Sequence, residues 1–192
     1  MKDLFGIFFK AFLSDNIVLM SFIALCPFIG MSTDEEKSIG MGVAVTFVTV
    51  LATCVTWPIY KYLLEPLDLV FLETLGFILV IASLVQIVEF YLKKCVPGLY
   101  SAMGIYLALI TTNCAILAVT LNNISRDYTF VQSIVYAVGV ALGFLLALLL
   151  MAGVRRRIRT SPIPAFMQGT PILFASSALL SLAFMGFSGL VK

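Results

Sequence analysis

The sequence predicts an all-α membrane protein: six transmembrane helices arranged as two inverted three-helix repeats, with helices 1 and 4 interrupted near the midplane. Three observations carry this prediction. First, the 192-residue chain is 61% hydrophobic and 11% charged, with a mean hydropathy of +1.11. A soluble domain is roughly 45–50% apolar and about 25% charged. Second, the apolar residues fall into six runs, each near the ~20 residues that cross a bilayer. Third, two of those runs carry a helix-breaking or polar stretch beside a cysteine: Leu25-Cys26-Pro27-Phe28 and Thr111-Thr112-Asn113-Cys114-Ala115.

With so few charges no soluble surface can be built, so residues 1–192 read as a single integral membrane domain. The net charge of +2 points to no particular partner, and nothing suggests nucleic acid. The absence of histidine excludes histidine-ligated haem, a Rieske centre and a histidine proton relay. Four cysteines without a CxxC pair exclude c-type haem attachment, zinc ribbons and ferredoxin-type cysteine runs. A cleavable signal peptide is not expected. The first apolar run contains Lys10, Asp15 and Asn16, and no small-residue cleavage site follows it.

The first run lies within Leu4–Gly30, broken near Asp15-Asn16 and again at Pro27, because proline lacks an N–H and clashes with the preceding turn. The second spans about Ile39–Tyr60, the third about Leu69–Leu92 and the fourth about Leu99–Leu121. The fifth spans about Phe130–Val154 and the sixth about Pro171–Val191. Short charged connections separate them: Thr33-Asp34-Glu35-Glu36-Lys37, Lys93-Lys94, Arg126-Asp127, and Arg155-Arg156-Arg157 with Arg159. The connections after helices 1, 3 and 5 hold seven of the twelve Lys and Arg residues. By the positive-inside rule these connections are cytoplasmic and both termini face outward.

Repeat 1 covers about residues 1–95 and repeat 2 about 96–192. Cys26 and Cys114 each fall in the first helix of a half. The second helices align as Gly42-Val43-Ala44-Val45-Thr46-Phe47 with Gly139-Val140-Ala141-Leu142-Gly143-Phe144. Three helices per half is an odd number, so the second half must cross the membrane upside down. Inverted repeats place their functional site near the midplane, at discontinuous helices in matching positions.

Two thiols at matched breaks leave four readings open: packing, a disulfide, a redox dithiol, or ligation of a soft metal. An iron–sulfur cluster needs four ligands. Cys54 lies about fifteen residues into helix 2, roughly 22 Å from its cytoplasmic end, whereas Cys95 lies at that end of helix 3. Those two cannot share a cluster, so the chain offers one pair, and a cluster would need two thiolates from another subunit. Pro27, Thr112 and Asn113 are the candidates for residues lying behind the thiols. Glu89 and Asp15 are ion-path candidates, because ionisable groups in membrane helices are functional hypotheses by default. Glu89 has a competing reading as the i,i+4 partner of Lys93. Glu73 reads as interfacial, and Met185-Gly186-Phe187-Ser188-Gly189 as a small-residue stretch for helix packing.

Leu25-Cys26-Pro27-Phe28, Leu109-Ile110-Thr111-Thr112-Asn113-Cys114-Ala115 and the tail Ala183-Phe184-Met185-Gly186-Phe187-Ser188-Gly189-Leu190-Val191-Lys192 resemble the A-type members of Rnf electron-transport complexes. The sister group is the E-type member of the Na⁺-translocating NADH:quinone reductase; Cys-Pro-Phe and the Val-Lys ending favour the Rnf branch. The resemblance runs end to end. It implies one subunit of a ferredoxin:NAD⁺ oxidoreductase in the bacterial cytoplasmic (inner) membrane, without a complete active site of its own. It implies pairing with a homologous E-type subunit of opposite topology, and an intramembrane [2Fe–2S] cluster shared between the two. The motif cysteines fall on Cys26 and Cys114. It places flavins and the other iron–sulfur centres on other subunits, and couples electron relay to Na⁺ or H⁺ movement. The competing readings are a structural scaffold, or a solute or ion transporter component without a redox centre.

Overall fold

The computed structural model describes residues 2–14, 16–33, 35–64, 73–95, 109–110, 112–162, 164 and 167–186. Among them there are eight α-helices and no strand. They are α1 (Lys2–Phe9), α2 (Ile17–Ser21), α3 (Leu25–Met31), α4 (Glu35–Ile59), α5 (Glu73–Cys95), α6 (Cys114–Ser125), α7 (Phe130–Arg159) and α8 (Thr170–Met185). Among the described residues, two stretches are long and apolar enough to cross a membrane, Ser38–Tyr62 and Phe130–Arg159. Shorter apolar helices cover Leu4–Leu13, Thr74–Phe90, Cys114–Ser125 and Thr170–Met185. Asp15, residues 96–108 and Thr111, which take in the first ten residues of the expected fourth run, and the tail 187–192 lie outside the described residues.

The first run is broken as expected, but not where proline suggested. After α1 the chain widens into a π-helical turn, Lys10–Ser14, and α2 restarts at the Asn16 cap. The second break falls at Phe22 and Ala24, both left-handed (φ 53° and 66°). Pro27 is then the third residue of α3. A helix leaves its first N–H groups without intrahelical partners, so a residue lacking one is tolerated there. Pro27 therefore opens a helix instead of ending one. Pro58 lies in the last turn of α4, directly before a second π turn, Tyr60–Leu64.

The centre of the molecule is the α4–α7 pair. Met41, Val45, Val48 and Ala52 of α4 are buried with Phe144, Ala147, Leu148 and Met151 of α7, at the i, i+3/i+4 spacing of a helix face. Gly42 allows this approach: a Cβ there would lie 3.1 Å from the Leu145 Cβ. On its other side α7 receives the first run. A Cβ at Gly139 would meet Ala11 Cβ at 2.9 Å and the Phe8 carbonyl at 3.0 Å, and one at Gly143 would meet the Phe12 carbonyl at 2.9 Å. Gly139 and Gly143 are one turn apart, the small-xxx-small spacing by which membrane helices approach closely. Sequence reading assigned that role to Met185–Gly189. There, a Cβ at Gly186 has no neighbour within 4 Å, and the remainder lies outside the described residues.

Arg155, Arg156, Arg157 and Arg159 are not in a loop, as expected, but form the end of α7. Cations are favourable at a helix C-terminus, where the carbonyls are unpaired. Arg155 also closes a second helix end, donating to the Ile29 carbonyl (3.0 Å) and the Ser32 hydroxyl (3.2 Å) beside the last turn of α3.

Candidate functional site: two thiols at two helix starts

Each motif cysteine sits in the first turn of a helix. Cys26 is the second residue of α3 and Cys114 the first of α6. The chain starts those helices by different means. At α3 the left-handed Ala24 redirects the backbone, and Phe28 N–H bonds back to the Ala24 carbonyl at 3.3 Å. At α6 the Asn113 side chain caps the helix, its Oδ1 accepting from Ala115 N–H at 3.0 Å. Asparagine is among the strongest N-caps. The break at Thr112-Asn113 is thus the polar interruption expected in the fourth run.

The residues flanking the two thiols share one core. Ala24 and Phe28 around Cys26, and Ile110, Ala115 and Ile116 around Cys114, are buried in the same apolar cluster. Pro27 is buried as well. Both cysteines are nonetheless exposed on this chain. Lying inside apolar runs, both thiols are expected from the sequence to be buried, and their exposure on this chain corrects that expectation. Neither is in a disulfide, and Cys54 is a further free thiol, half-buried on α4.

Cys114 opens into a groove of about 290 Å³ between α5 and α6. Ile78, Ile81 and Ala82 form the α5 wall, and Thr112, Asn113 and Leu117 line it beside Cys114. The Cys114 S–H points to the Thr112 carbonyl at 3.8 Å. Asn113 is 4% exposed, and its Nδ2 donates to nothing within reach. A buried amide donor without an acceptor costs on the order of 1–3 kcal/mol. Glu89 is half-buried on α5, seven residues and about 10 Å beyond Ala82 along the helix, so it stands apart from the groove.

Long apolar helices wound around a glycine-mediated crossing, with Phe5, Val43, Phe47, Leu79, Phe90 and Leu182 exposed on the outside, define a helical membrane protein. The chain belongs to the Rnf-Nqr family of membrane subunits: residues 4–191 match the family described as "Rnf-Nqr subunit, membrane protein". It is 52% identical over 191 residues to the A-type component of the ion-translocating oxidoreductase complex of Syntrophotalea carbinolica, covering 100% of this chain and 99% of the relative. It is 49% identical over 184 residues to the A-type component of the Na⁺-translocating ferredoxin:NAD⁺ oxidoreductase complex of Acetobacterium woodii, covering 96% of each. The A-type component of the ion-translocating oxidoreductase complex of Photorhabdus laumondii is 48% identical over the full length of both chains. These relatives are subunits of multisubunit oxidoreductases, and the Rnf branch of the resemblance is the one they share.

Proposed function

We propose that this chain is the A-type membrane component of an Rnf complex, a ferredoxin:NAD⁺ oxidoreductase of the bacterial inner membrane. In this reading Cys26 and Cys114 are half of the ligand set of a [2Fe–2S] cluster shared with a homologous E-type subunit. The single observation that carries this is the placement of both motif thiols: at helix starts, flanked by one core, yet facing outward. A packing cysteine turns inward, whereas a thiol completing a site with a neighbouring subunit must face out.

The residues suit the group. Thiolate sulfur is the standard ligand of such clusters. The buried Asn113 Nδ2, which lacks an acceptor beside Cys114, is a donor for a cluster or thiolate sulfur. When bound, the cluster supplies one-electron transfer within the membrane. The protein's own part is positional. Asn113 and Ala24 fix where α6 and α3 begin, Pro27 stiffens the turn that presents Cys26, and Arg155 holds the other end of α3. Ile78, Ile81 and Leu117 keep water from the Cys114 side.

The six-span inverted repeat is the architecture that fits this role. It would place the broken first and fourth runs in matching positions on either side of the α4–α7 crossing. Both termini then face outward, and electron relay is coupled to Na⁺ or H⁺ movement, with Glu89 and Asp15 as ion-path candidates.

The test is EPR with iron analysis on the purified complex, comparing wild type, Cys26→Ser and Cys114→Ser. One [2Fe–2S] signal lost in both variants while the complex stays assembled supports the shared cluster. Unchanged spectra make both cysteines packing residues and the chain a scaffold or ion path.

A further inference from the structure

A second polar feature lies away from the thiols, between α4 and α6. Thr53, Thr56 and Trp57 of α4 and Thr120, Asn123 and Ile124 of α6 line a cavity of about 10 Å³. That is about the least space that holds one water molecule. All three threonines and Asn123 are at least 97% buried.

The frame around this chamber is tied at several points. Trp57 Nε1 donates to the Tyr128 carbonyl at 3.0 Å, and Tyr128 N–H donates to the Asn123 carbonyl at 3.1 Å. The end of α4, the last turns of α6 and the turn that follows are thereby joined in one run of bonds. One residue earlier on α6, Asn122 Nδ2 donates to the Tyr136 hydroxyl of α7 at 3.4 Å.

Inside that frame the side chains leave a specific demand. Thr53 donates to the Thr49 carbonyl at 2.9 Å, Thr56 to the Ala52 carbonyl, and Thr120 to the Leu117 carbonyl at 2.8 Å. Each hydroxyl proton is spent on its own helix, so the threonine oxygens can only accept. Asn123 has no partner at either Oδ1 or Nδ2, and turning the amide over changes nothing because both ends are unpaired. Buried polar atoms are almost always satisfied. The guest must accept from Nδ2 and donate to Oδ1 at once. It must also be neutral, since no lining residue is charged. Water meets each condition, and its second proton reaches a threonine oxygen. That gives three hydrogen bonds, the usual number for a buried water.

We infer that one ordered water occupies this chamber and bridges the Asn123 amide to a threonine oxygen of α4. A bridging water is nearly as favourable in enthalpy as a direct hydrogen bond. It makes a polar crosslink between α4 and α6. Asn123 stands nine residues after Cys114, roughly 13–14 Å along the axis of α6. The crosslink therefore holds the far end of the helix that begins at the thiol. It stands whether or not Cys26 and Cys114 hold a cluster.

The test is a map of the assembled complex at a resolution that shows ordered water. The expected result is a single peak at about 2.7–3.2 Å from the Asn123 amide and from a threonine oxygen of α4. Trp57 gives a second readout, because it is the sole tryptophan of the chain and lines the chamber. With the full chain in nanodiscs, Asn123→Leu removes both polar atoms and fills the space. Trp57 emission then shifts to shorter wavelength, since a mobile dipole beside the excited indole is lost. Thr120→Ser, which keeps the oxygen, stays near wild type. A chamber without a peak, an Asn123 amide bonded directly to protein atoms, or unchanged emission in Asn123→Leu overturns the bridge. The wild-type map decides the matter even where Asn123→Leu fails to fold.

Discussion

The side-chain amide of Asn16 donates to the backbone carbonyl of Gly143 at 2.9 Å, across 127 residues of sequence. The same side chain caps α2, its Oδ1 accepting from Val18 N–H (3.2 Å) and Leu19 N–H (3.4 Å). One asparagine, 1% exposed, thus ends a helix break and anchors it to α7, the long helix far along the chain. Gly143 makes this possible, since a Cβ there would lie 3.3 Å from Asn16 Nδ2.

Asn16→Ala removes the cap and leaves the Gly143 carbonyl without this donor, with an expected loss of about 2–3 kcal/mol from the two together. Asn16→Ser keeps part of the cap and falls between. Thermal unfolding in detergent measures both, and equal midpoints for wild type and Asn16→Ala would refute the anchor.

The glycines divide into two groups. Gly143→Ala forces a Cβ against the Phe12 carbonyl, and Gly139→Ala against Phe8 and Ala11, so each is expected to destabilise by roughly 1–3 kcal/mol. Gly40 and Gly153 have nothing within 4 Å of a Cβ. Alanine there is neutral or stabilises by up to about 1 kcal/mol through helix propensity. Denaturant midpoints of the four variants check the division.

Adjacent arginines should behave differently. Arg156 pairs with Glu35 at 3.1 Å, but both side chains are largely exposed (81% and 55%), and Arg156→Ala is expected to change stability by less than about 0.5 kcal/mol. Arg155→Ala leaves the Ile29 carbonyl and Ser32 hydroxyl without this cation, at about 1–3 kcal/mol. If Cys26 ligates the proposed cluster, Arg155→Ala is also expected to shift the EPR line shape in the complex, because α3 carries Cys26, while Arg156→Ala is not.

Thiol accessibility distinguishes an interface from packing. In the isolated chain, Cys26 and Cys114 are exposed and are expected to react with a membrane-permeant maleimide faster than half-buried Cys54. In the assembled complex both should be protected, with Cys54 little changed. Equal labelling of Cys26 and Cys114 in the two preparations would place them on lipid-facing surface and against a shared site.

Much of this was readable residue by residue. Asn113 ahead of Cys114 announces both a cap and a break, and the helix beginning there follows from ordinary capping chemistry. The break near Asn16 was readable for the same reason. Pro27 was read correctly as a marker of interruption but placed it several residues late. The left-handed turn at Phe22 and Ala24 has no glycine or asparagine to signal it. Gly139 and Gly143 were visible as a repeat match, yet their contact with Phe8, Ala11 and Phe12 depends on the first run folding back onto α7. Asn123 carried no signal, because an asparagine near a helix end looks like a surface residue until its neighbours are known.

By itself the sequence determined the solvent, the apolar runs, the two sulfur-bearing breaks and the family. Those are sums of local properties: side-chain hydropathy, backbone propensity and motif identity accumulate along the chain. Only the tertiary structure decided that the thiols are exposed, that Arg155 closes α3, that Asn16 reaches Gly143 and that the Asn123 amide is buried without a partner. Each of these joins groups distant in sequence, and which helix faces meet is settled by close packing between them, not by any residue alone.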